Sequence, residues 1–353
     1  MDRFEASTSG KTAGPVTVLV TGVGDTVGQA LIKSLRRSEV LCRIIGTDRD
    51  ELSAGLSWVD CAALLPHCAH PAAYLGELRR VCVAEGVRLI FPGSEKELDL
   101  LAQHAAALHS ELGVTVVGAS SDVLRVAMNK WETCRFLERS GLNFPQYARL
   151  DSKEQTARLV EICGYPLIAK PFRGTGARGL MKISSERDIT SAQELGIEMV
   201  LQEYLLPDEE EYSVEIYTLR GGAQVGSICY HRRHMVAGDT YKARVLDHAP
   251  VQAEACAVAA ALGALGPCNV QLRMTDRGPV TFEINPRFSG GVSMRAYFGF
   301  NEPEMAIRDL ALGEAVPTPA LRRGVALRFW EEMYLDEPRE KPAQKELNLA
   351  AVD

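Results

Sequence analysis

Short apolar runs alternate with helical stretches in the first third of the chain, and this alternation limits the fold more than any other feature. Val16–Val20 and Arg43–Thr47 are β-rich runs, and the helical segment Thr26–Arg37 lies between them. Strands that return through a helix join their neighbours in parallel, so residues 16–119 predict a parallel sheet covered by helices on both faces. The later elements predicted in this region are helix Tyr74–Glu85, strand Leu89–Phe91, helix Glu95–Glu111 and strand Val114–Val117.

Beyond residue 119 the pattern changes to a region richer in strands. A long helical stretch, Ser121–Arg139, comes first, and a short helix, Lys153–Cys163, follows the break at Phe144-Pro145. Two β-like runs lie between about residues 145 and 205. The later part predicts four strands and one helix. These are strands Tyr212–Leu219, Gln224–Tyr230, Asn269–Thr275 and Val280–Ile284, and helix Gln252–Leu262.

The composition argues against several classes of protein. With 39 Lys and Arg against 46 Asp and Glu, the formal net charge is −7, whereas nucleic-acid-binding proteins neutralise phosphates with an excess of cations. No stretch approaches the roughly 18–20 apolar residues of a membrane-spanning helix, and the first residues lack the apolar core of a secretory signal. The nine cysteines are scattered without a CxxC pair, as is typical of reduced thiols. We expect a cytoplasmic protein that binds neither nucleic acid nor membrane.

The first glycine-rich loop has two interpretations. Gly22, Gly24 and Gly28 follow the first strand and open the next helix, and Asp48 ends the second strand. Glycines at such a turn let the backbone approach a pyrophosphate, and the acidic residue then binds a ribose. The spacing is GxGxxxG rather than GxGxxG, so an NAD or NADP site and a tight strand-to-helix turn both stay open.

A second glycine-rich loop follows the apolar run Pro166–Ala169. Lys170 ends this run, and Gly174, Gly176 and Gly179 come shortly after it. Glycines free the backbone N–H groups to face phosphate oxygens, and the Lys170 ammonium would stand beside them. The loop is not a Walker P-loop, because no GK[ST] follows. It predicts a loop that closes over a nucleotide, with a flexible hairpin as the alternative.

The segment Val280–Arg287 places oxygen ligands on a strand. Alternation predicts Glu283 and Asn285 on one face and Phe282 and Ile284 on the other. A carboxylate and an amide oxygen side by side suit Mg²⁺, which takes a few protein oxygens and shares the rest with phosphates. The sequence therefore predicts a cation site here, with a solvated strand face as the alternative.

Neighbouring residues extend this site. Gln271 lies on the preceding strand, and the turn Thr275–Gly278 would pair the two strands antiparallel, so that Gln271 adds another oxygen. Arg287 would clamp an anion through its planar guanidinium, and Ser289–Gly291 would offer backbone N–H groups to the same anion.

A basic cluster follows Tyr230. It comprises His231–His234, Lys242 and Arg244. A solvated loop and a contact with phosphates or a substrate carboxylate both remain open. Lys242 and Arg244 are the better candidates for such a contact.

Four of these features occur in the order of a known superfamily. Lys130, the loop Ala169–Gly179, Gln202–Leu205 and Phe282–Arg287 resemble the motifs of the ATP-grasp superfamily. The glutamine, glutamate and asparagine trio is most similar to the grasp domain of the carbamoyl-phosphate synthetase large subunit. The resemblance covers about 16–335. That synthetase has two such units and this chain has room for one, so the resemblance implies a stand-alone ligase.

The resemblance implies a nucleotide site shared by the lid and the strands. Phosphates would be held by Lys130, Lys170, Gly174 and Gly176, the adenine edge by Glu203, Tyr204 and Leu205, and the ribose by Glu211, with Glu210 as the alternative.

The resemblance also implies the metal ligands and the catalytic residues. Mg²⁺ or Mn²⁺ would be bound by Gln271, Glu283 and Asn285. Arg287 would stabilise an acyl-phosphate intermediate, and Lys170 would assist phosphoryl transfer.

The domain organisation implied by the resemblance is an α/β fold in five parts. These are a disordered leader (1–15), a Rossmann-like pre-ATP-grasp domain (16–119), a linking helix with a lid subdomain (120–205), a larger catalytic subdomain with an antiparallel sheet (206–335) and a mobile tail (336–353).

The activity implied is ATP-dependent ligation. A small-molecule carboxylate, activated as an acyl phosphate, would be joined to an amine, preferably an amino acid, or to a thiol, with release of ADP and phosphate. A homodimer is also expected. Two alternatives remain: an NAD(P)-dependent oxidoreductase that uses Gly22–Gly28, and a non-catalytic ATP-binding regulator.

Overall fold

The alternating segments of the first third build the expected parallel sheet, which confirms the α/β prediction. A computed structural model describes residues 14–174, 178–236, 239–329 and 331–334. The strands in this region are β1 (Val16–Val20), β2 (Cys42–Asp48), β3 (Cys61–Leu64), β4 (Leu89–Phe91) and β5 (Thr115–Val116), and the helices are α1 (Thr26–Leu35), α2 (Pro71–Glu85) and α3 (Glu95–Leu112). The strands lie in the order β3-β2-β1-β4-β5 and all pair in parallel.

Two helices and a small antiparallel sheet follow. The helices are α4 (Ser121–Ala127) and α5 (Lys130–Arg139), and the sheet carries α6 (Lys153–Cys163) and α7 (Glu186–Glu194). Its strands are β6 (Tyr147–Arg149), β7 (Leu167–Pro171), β8 (Met181–Ile183) and β9 (Met199–Glu203). They lie in the order β6-β9-β7-β8 and enclose a hydrophobic core of their own.

The prediction of a single helix over Ser121–Arg139 is wrong, because the helix is interrupted at Met128 and Asn129. The Asn129 side chain accepts hydrogen bonds from the N–H groups of Trp131 (3.0 Å) and Glu132 (3.3 Å). An asparagine in this position caps a new helix. The break places Lys130 in the first turn of α5 and turns its side chain toward the small sheet.

The last part of the chain forms a six-stranded antiparallel sheet. Its strands are β10 (Glu211–Thr218), β11 (Gln224–Val236), β12 (Asp239–Leu246), β13 (Gly266–Thr275), β14 (Gly278–Asn285) and β15 (Gly324–Leu327). They lie in the order β14-β13-β10-β11-β12-β15. The sequence analysis ended β11 too early and missed β12 and β15. The helices here are α8 (Ala249–Leu262), α9 (Val292–Tyr297) and α10 (Glu302–Ala306), and a π-helical turn, Ile307–Leu312, follows α10.

One hydrophobic core joins the parallel sheet to the six-stranded sheet. Side chains from both sheets belong to it, and the rings of Phe91 and Phe288 lie 5.5 Å apart between centroids. Tyr217 and Phe300 from the second half are completely buried in the same cluster. Because the core is shared, the two sheets hold a fixed orientation across the cleft between them.

Among the described residues, no helix has the length and apolar character needed to cross a bilayer. All nine cysteines lie in the described part of the chain, and each carries a free thiol. The expected tail and most of the expected leader lie outside the described residues.

Candidate active site

A cleft of about 290 Å³ lies where α3, α4, α5, the small sheet and the six-stranded sheet meet. Most of the site residues predicted from the sequence line it. They are Lys130, Lys170, Gly174, Glu211, Gln271, Glu283, Asn285 and Arg287. Gly176 lies outside the described residues.

Two lysines enter the cleft from different elements. Lys130 donates a hydrogen bond from Nζ to the carbonyl of Gly174 at 2.8 Å, and its own N–H donates to the carbonyl of Phe172 at 2.8 Å. Lys170, near the end of β7, is buried. Burial lowers the pKa of Lys170, and the negative charge of Glu283 opposes that shift. Both ammonium groups therefore lie beside the second glycine loop and near a carboxylate.

Phe282 does not follow the predicted alternation. Gln271 lies opposite Glu283 and Leu272 lies opposite Thr281, so a β-bulge leaves Phe282 without a partner across the pair. Phe282 lines the cleft together with Glu283, and Lys170 Nζ lies 5.1 Å from the centroid of its ring. The prediction that Phe282 faces away from Glu283 is wrong, because the bulge shifts the period of the strand.

The predicted metal ligands surround one carboxylate. Glu283 Oε1 accepts from Asn285 Nδ2 at 2.8 Å, and Gln271 Nε2 lies 3.5 Å away. Burial opposes ionisation of Glu283, but the hydrogen bond from Asn285 and the charges of Lys130, Lys170 and Arg232 hold its pKa below the usual value. Glu283 is thus kept ionised and available to a cation.

Arg232, a member of the basic cluster that the sequence analysis did not prefer, lines the cleft. Its Nη1 donates to Gln271 Oε1 at 2.6 Å and to Glu211 Oε1 at 2.7 Å. Lys242 and Arg244, the preferred candidates of the basic cluster, are exposed on β12 and do not line the cleft. The signal was available: if β11 continues past Tyr230, alternation puts Arg232 on the face that carries Gln271.

Glu211 is held by two guanidinium groups. Besides Arg232, Arg273 donates from Nη2 to Glu211 Oε2 at 2.7 Å, and Glu211 is buried. Glu210 instead accepts a hydrogen bond from the hydroxyl of Tyr212 at 2.5 Å and does not line the cleft. Of the two alternatives in this acidic run, Glu211 is the residue that faces the site.

The predicted adenine-edge residues lie outside this cleft. The Glu203 carboxylate accepts from Arg277 Nη2 at 2.6 Å and from the N–H of Gln146 at 3.1 Å. Glu203 and Tyr204 line a separate cavity of about 480 Å³. Leu205 is buried, and its carbonyl accepts from Arg273 Nη1 at 2.6 Å. Arg273 therefore links this segment to Glu211, although the two cavities are distinct.

Arg287, directly after β14, contacts the start of helix α3. Its Nη2 lies 3.4 Å from Glu95 Oε2, at the start of α3, and 3.3 Å from Asn285 Oδ1. Glu95 also lines the cleft. The sequence analysis gave no role to Glu95, because only the fold brings residues so distant along the chain together. Helix α3 of the parallel-sheet region thus supplies one acidic group to the site.

A buried ion network supports the loop that follows Arg287. Arg295 contacts Glu215 (Nη2 to Oε2, 2.9 Å), Glu302 (Nε to Oε1, 2.7 Å) and Ser289 (Nη1 to Oγ, 2.9 Å). Burial raises the pKa of Glu215 to about 8, although Arg295 opposes the shift. Burial also raises the pKa of Glu302. The Arg295 guanidinium thus contacts both carboxyl groups and holds the Ser289 side chain in place.

The donor set fits a cation that is completed by a ligand. Among the described residues, no group of three or more His, Cys, Asp or Glu is placed to hold a metal ion. Glu283 and the amides of Asn285 and Gln271 instead offer one charge and neutral oxygens. Mg²⁺ typically takes one or two carboxylates from the protein and the remaining oxygens from substrate phosphates. The Gln271 amide must turn to take part, because its oxygen now faces Arg232.

The first glycine loop is closed by the protein's own groups. The N–H of Gly24 donates to Asp48 Oδ2 at 2.7 Å, and the N–H groups of Arg49 and Asp50 bind Asp48 Oδ1. A Cβ added at Gly24 would lie 2.4 Å from the Ser53 hydroxyl. Asp48, the residue that would bind a ribose, is thus already hydrogen-bonded to backbone N–H groups. The geometry favours the structural turn over an NAD or NADP site.

Replacing Gly28 by Ala is expected to destabilise the fold. A Cβ at Gly28 would lie 2.2 Å from the carbonyl oxygen of Gly22, and backbone can yield only by distorting the turn. We expect a loss of about 2–4 kcal/mol in the free energy of unfolding, measured by urea denaturation. Gly76→Ala is the matched control, because nothing lies within 4 Å of its added Cβ. It should leave stability unchanged or raise it by up to about 1 kcal/mol. Equal stability of both variants would contradict the close approach.

Two family models match the chain. One, described as "ATP-grasp in the biosynthetic pathway with Ter operon", matches residues 197–333. The other, described as "PylC-like, N-terminal domain", matches residues 18–117. The first match begins in the small sheet and continues through the six-stranded sheet, and the second covers the parallel sheet.

Individual proteins are also similar to this chain in sequence or in structure. The formate-dependent phosphoribosylglycinamide formyltransferase of Synechococcus sp. (strain CC9605) is 26% identical over 290 residues, 77% of this chain and 70% of the relative. The carbamoyl phosphate synthase large chain of Mycobacterium tuberculosis (strain CDC 1551 / Oshkosh) is 28% identical over 193 residues, 51% of this chain but 17% of that longer protein. The structure of N5-carboxyaminoimidazole synthetase from Staphylococcus aureus complexed with ADP matches with a TM-score of 0.69 at 15% identity, over 88% of this chain and 81% of that one. This last likeness concerns the fold alone.

Proposed function

From the premise that the chain belongs to the ATP-grasp superfamily, we propose that it uses ATP and Mg²⁺ to join a small carboxylate to an amine. The observation that carries the proposal is the meeting of three cations, Lys130, Lys170 and Arg232, around the ionised Glu283, in a cleft that Arg287 also lines. Phosphoryl transfer to a carboxylate needs such an arrangement, because its charge is spread over oxygens that cations stabilise.

Lys130 and Lys170 are proposed to hold the nucleotide phosphates. Lys130 is now bound to the carbonyl of Gly174, and phosphate oxygens would replace that weaker acceptor. Lys170 is buried, and charge buried near its counter-charge interacts strongly with an incoming anion. Gly174 would offer its backbone to the same phosphates, with Gly176 as an untested addition.

Glu283 and Asn285 are proposed as ligands of Mg²⁺, joined by Gln271 once its amide turns. The bound ion would neutralise charge on the transferred phosphoryl group. Arg232, already bonded to Gln271, adds a fixed positive charge beside this position. Mn²⁺ in place of Mg²⁺ stays a prediction.

The nucleoside is proposed to lie between the segment at Leu205 and the sheet. Glu211 is the candidate for the ribose hydroxyls, since it lines the cleft. The Glu203 carboxylate is bonded to Arg277. Glu203 would therefore contact adenine through its backbone groups, together with Tyr204 and Leu205. Arg273 contacts both Leu205 and Glu211. It would therefore fix the position of the adenine-binding segment relative to the ribose-binding carboxylate.

The proposed reaction has two steps. A carboxylate oxygen of the substrate attacks the γ-phosphorus, the bond to the β-phosphate oxygen breaks, and ADP leaves. The amine nitrogen then attacks the acyl carbon and phosphate departs with the C–O bond electrons, while the amine gives up a proton. Arg287 would stabilise the acyl phosphate between the steps. Because the chain positions reactants and neutralises charge, no side-chain nucleophile is required.

Amino acids are the proposed class of nucleophile, with thiols as the alternative. The deciding experiment measures phosphate release from Mg·ATP with a panel of carboxylates, each with and without amino acids, ammonia or a thiol. Release that requires one carboxylate and one nucleophile would support the proposal and identify both substrates. ATP binding without release under any condition would favour the non-catalytic regulator. A fluorescence change of NADH on mixing, with no ATP binding, would overturn the proposal.

A further inference from the structure

Strand β15 leaves one edge of the six-stranded sheet open in the part of the chain that the structure describes. It pairs only with β12, and the N–H of Arg328 donates to the carbonyl of Tyr241 at 2.9 Å. In an antiparallel strand the backbone groups of successive residues point to opposite sides. Val325, Leu327 and Phe329 therefore turn their N–H and carbonyl groups to the open edge. Such an edge is a template for another strand.

The side chains at this edge are apolar and accessible. Val325 is 51% exposed, Leu327 64% and Phe329 75%. Val325 and Leu327 also line an open cleft of about 730 Å³, together with residues of α1 and α9. Edge strands in soluble proteins usually carry charges or are covered, so three exposed apolar side chains at alternate positions indicate a surface that is buried in an assembly.

The sequence around Leu327 is complementary to itself. If two copies pair antiparallel about a two-fold axis at Leu327, each Leu327 faces the other, Val325 faces Phe329, and Arg323 faces Glu331. Apolar side chains then meet apolar ones, and opposite charges meet across the strands. Val325, Leu327 and Phe329 are also the residues whose backbone groups point outward, so they would form hydrogen-bonded pairs.

Neighbouring registers lose this complementarity. An axis at Val325 would set Leu327 against Arg323, and an axis at Phe329 would set Leu327 against Glu331. Arg323 now pairs with Asp247 at 2.5 Å, but its side chain is 75% exposed. An exposed ion pair contributes little, so Arg323 can exchange this partner for Glu331 of a second copy.

We propose that this protein forms a two-fold homodimer in which β15 of one copy pairs antiparallel with β15 of another about Leu327. The two six-stranded sheets then form one continuous sheet. An isologous contact of this kind uses the same patch on both copies and closes on itself. The dimer is independent of the proposed ligase activity, because none of its residues lines the active-site cleft.

Sedimentation velocity of the full chain from about 0.1 to about 100 μM tests the proposal. Leu327→Arg sets two guanidinium groups against each other at the axis and should raise the dimer dissociation constant at least about a hundredfold. Leu52→Arg is the control, because Leu52 is 75% exposed, follows β2 and does not line the cleft beside β15, and it should leave dimerisation unchanged. Thermal melts check that both variants fold.

A charge exchange makes the register itself testable. Arg323→Glu and Glu331→Arg should each weaken the dimer, and the double variant should restore it. The amide hydrogens of Val325, Leu327 and Phe329 should exchange slowly in the wild-type dimer and fast in Leu327→Arg. A wild-type chain that stays monomeric at about 100 μM, or a dimer that survives Leu327→Arg, would overturn the proposal.

Discussion

Replacing Glu283 by Gln is expected to lower Mg·ATP turnover by about 1,000-fold or more. The substitution keeps the size of the side chain but removes the charge that two amides and three cations surround. Loss of one preorganised electrostatic contact commonly costs 100- to 1,000-fold, and loss of a metal ligand adds to this, hence an estimate of about 4 kcal/mol in the barrier. Turnover is measured by phosphate release at several Mg²⁺ concentrations.

The control for this variant is Glu210→Gln. Glu210 lies directly before β10 but contacts the Tyr212 hydroxyl and not the cleft, so turnover of the variant should stay within about threefold of wild type. Urea denaturation of both variants separates lost chemistry from lost folding. Turnover of Glu283→Gln within about tenfold of the wild type would remove Glu283 from the metal site.

Replacing Arg295 by Met is expected to reduce the free energy of unfolding by about 3–5 kcal/mol. Methionine roughly fills the space but leaves Glu215 and Glu302 buried without a cation. Both carboxyl groups must then hold a proton to stay buried. The loss should therefore be larger at pH 8 than at pH 6, as measured by urea denaturation.

The wild type has a milder pH dependence of the same sign. Burial raises the pKa of Glu215 from 4.5 to about 8, so the folded chain binds a proton that the unfolded chain releases. Stability contributed by this group is full below pH 4.5 and declines as the pH rises toward 8. Glu215→Gln should keep the fold and flatten this decline. An Arg295→Met variant within about 1 kcal/mol of the wild type would show that the network contributes little.

Most of the scaffold was predictable because its signals are local. The alternation over residues 16–119 predicted the parallel sheet, and the turn Thr275–Gly278 predicted the antiparallel pair that sets Gln271 opposite Glu283. Asn129, with Glu132 three residues later, is also a pattern that indicates the start of a helix. It was overlooked because the apolar periodicity continues across the break.

The unpredicted parts of the site depend on pairing between distant segments. The bulge at Phe282 arises from the register of two strands, and neither strand alone records it. Glu95 reaches Arg287 only when α3 lies against the end of β14. Arg232 was within reach of the alternation rule, but the basic residues His231–His234 suggested a solvated loop. The run of basic residues therefore led to a prediction that ended β11 at Tyr230.

The core shared by the two large sheets limits how this chain can be recombined with its relatives. A chimera that takes residues 16–119 from another protein would cut between Phe91 and its neighbour Phe288. It would also separate the first sheet from Tyr217 and Phe300, which fill the same cluster. Breakpoints placed in the linkers therefore need matching exchanges on the buried face of the six-stranded sheet. Substitutions of single cleft residues such as Glu95, which lies outside this cluster, avoid that interface.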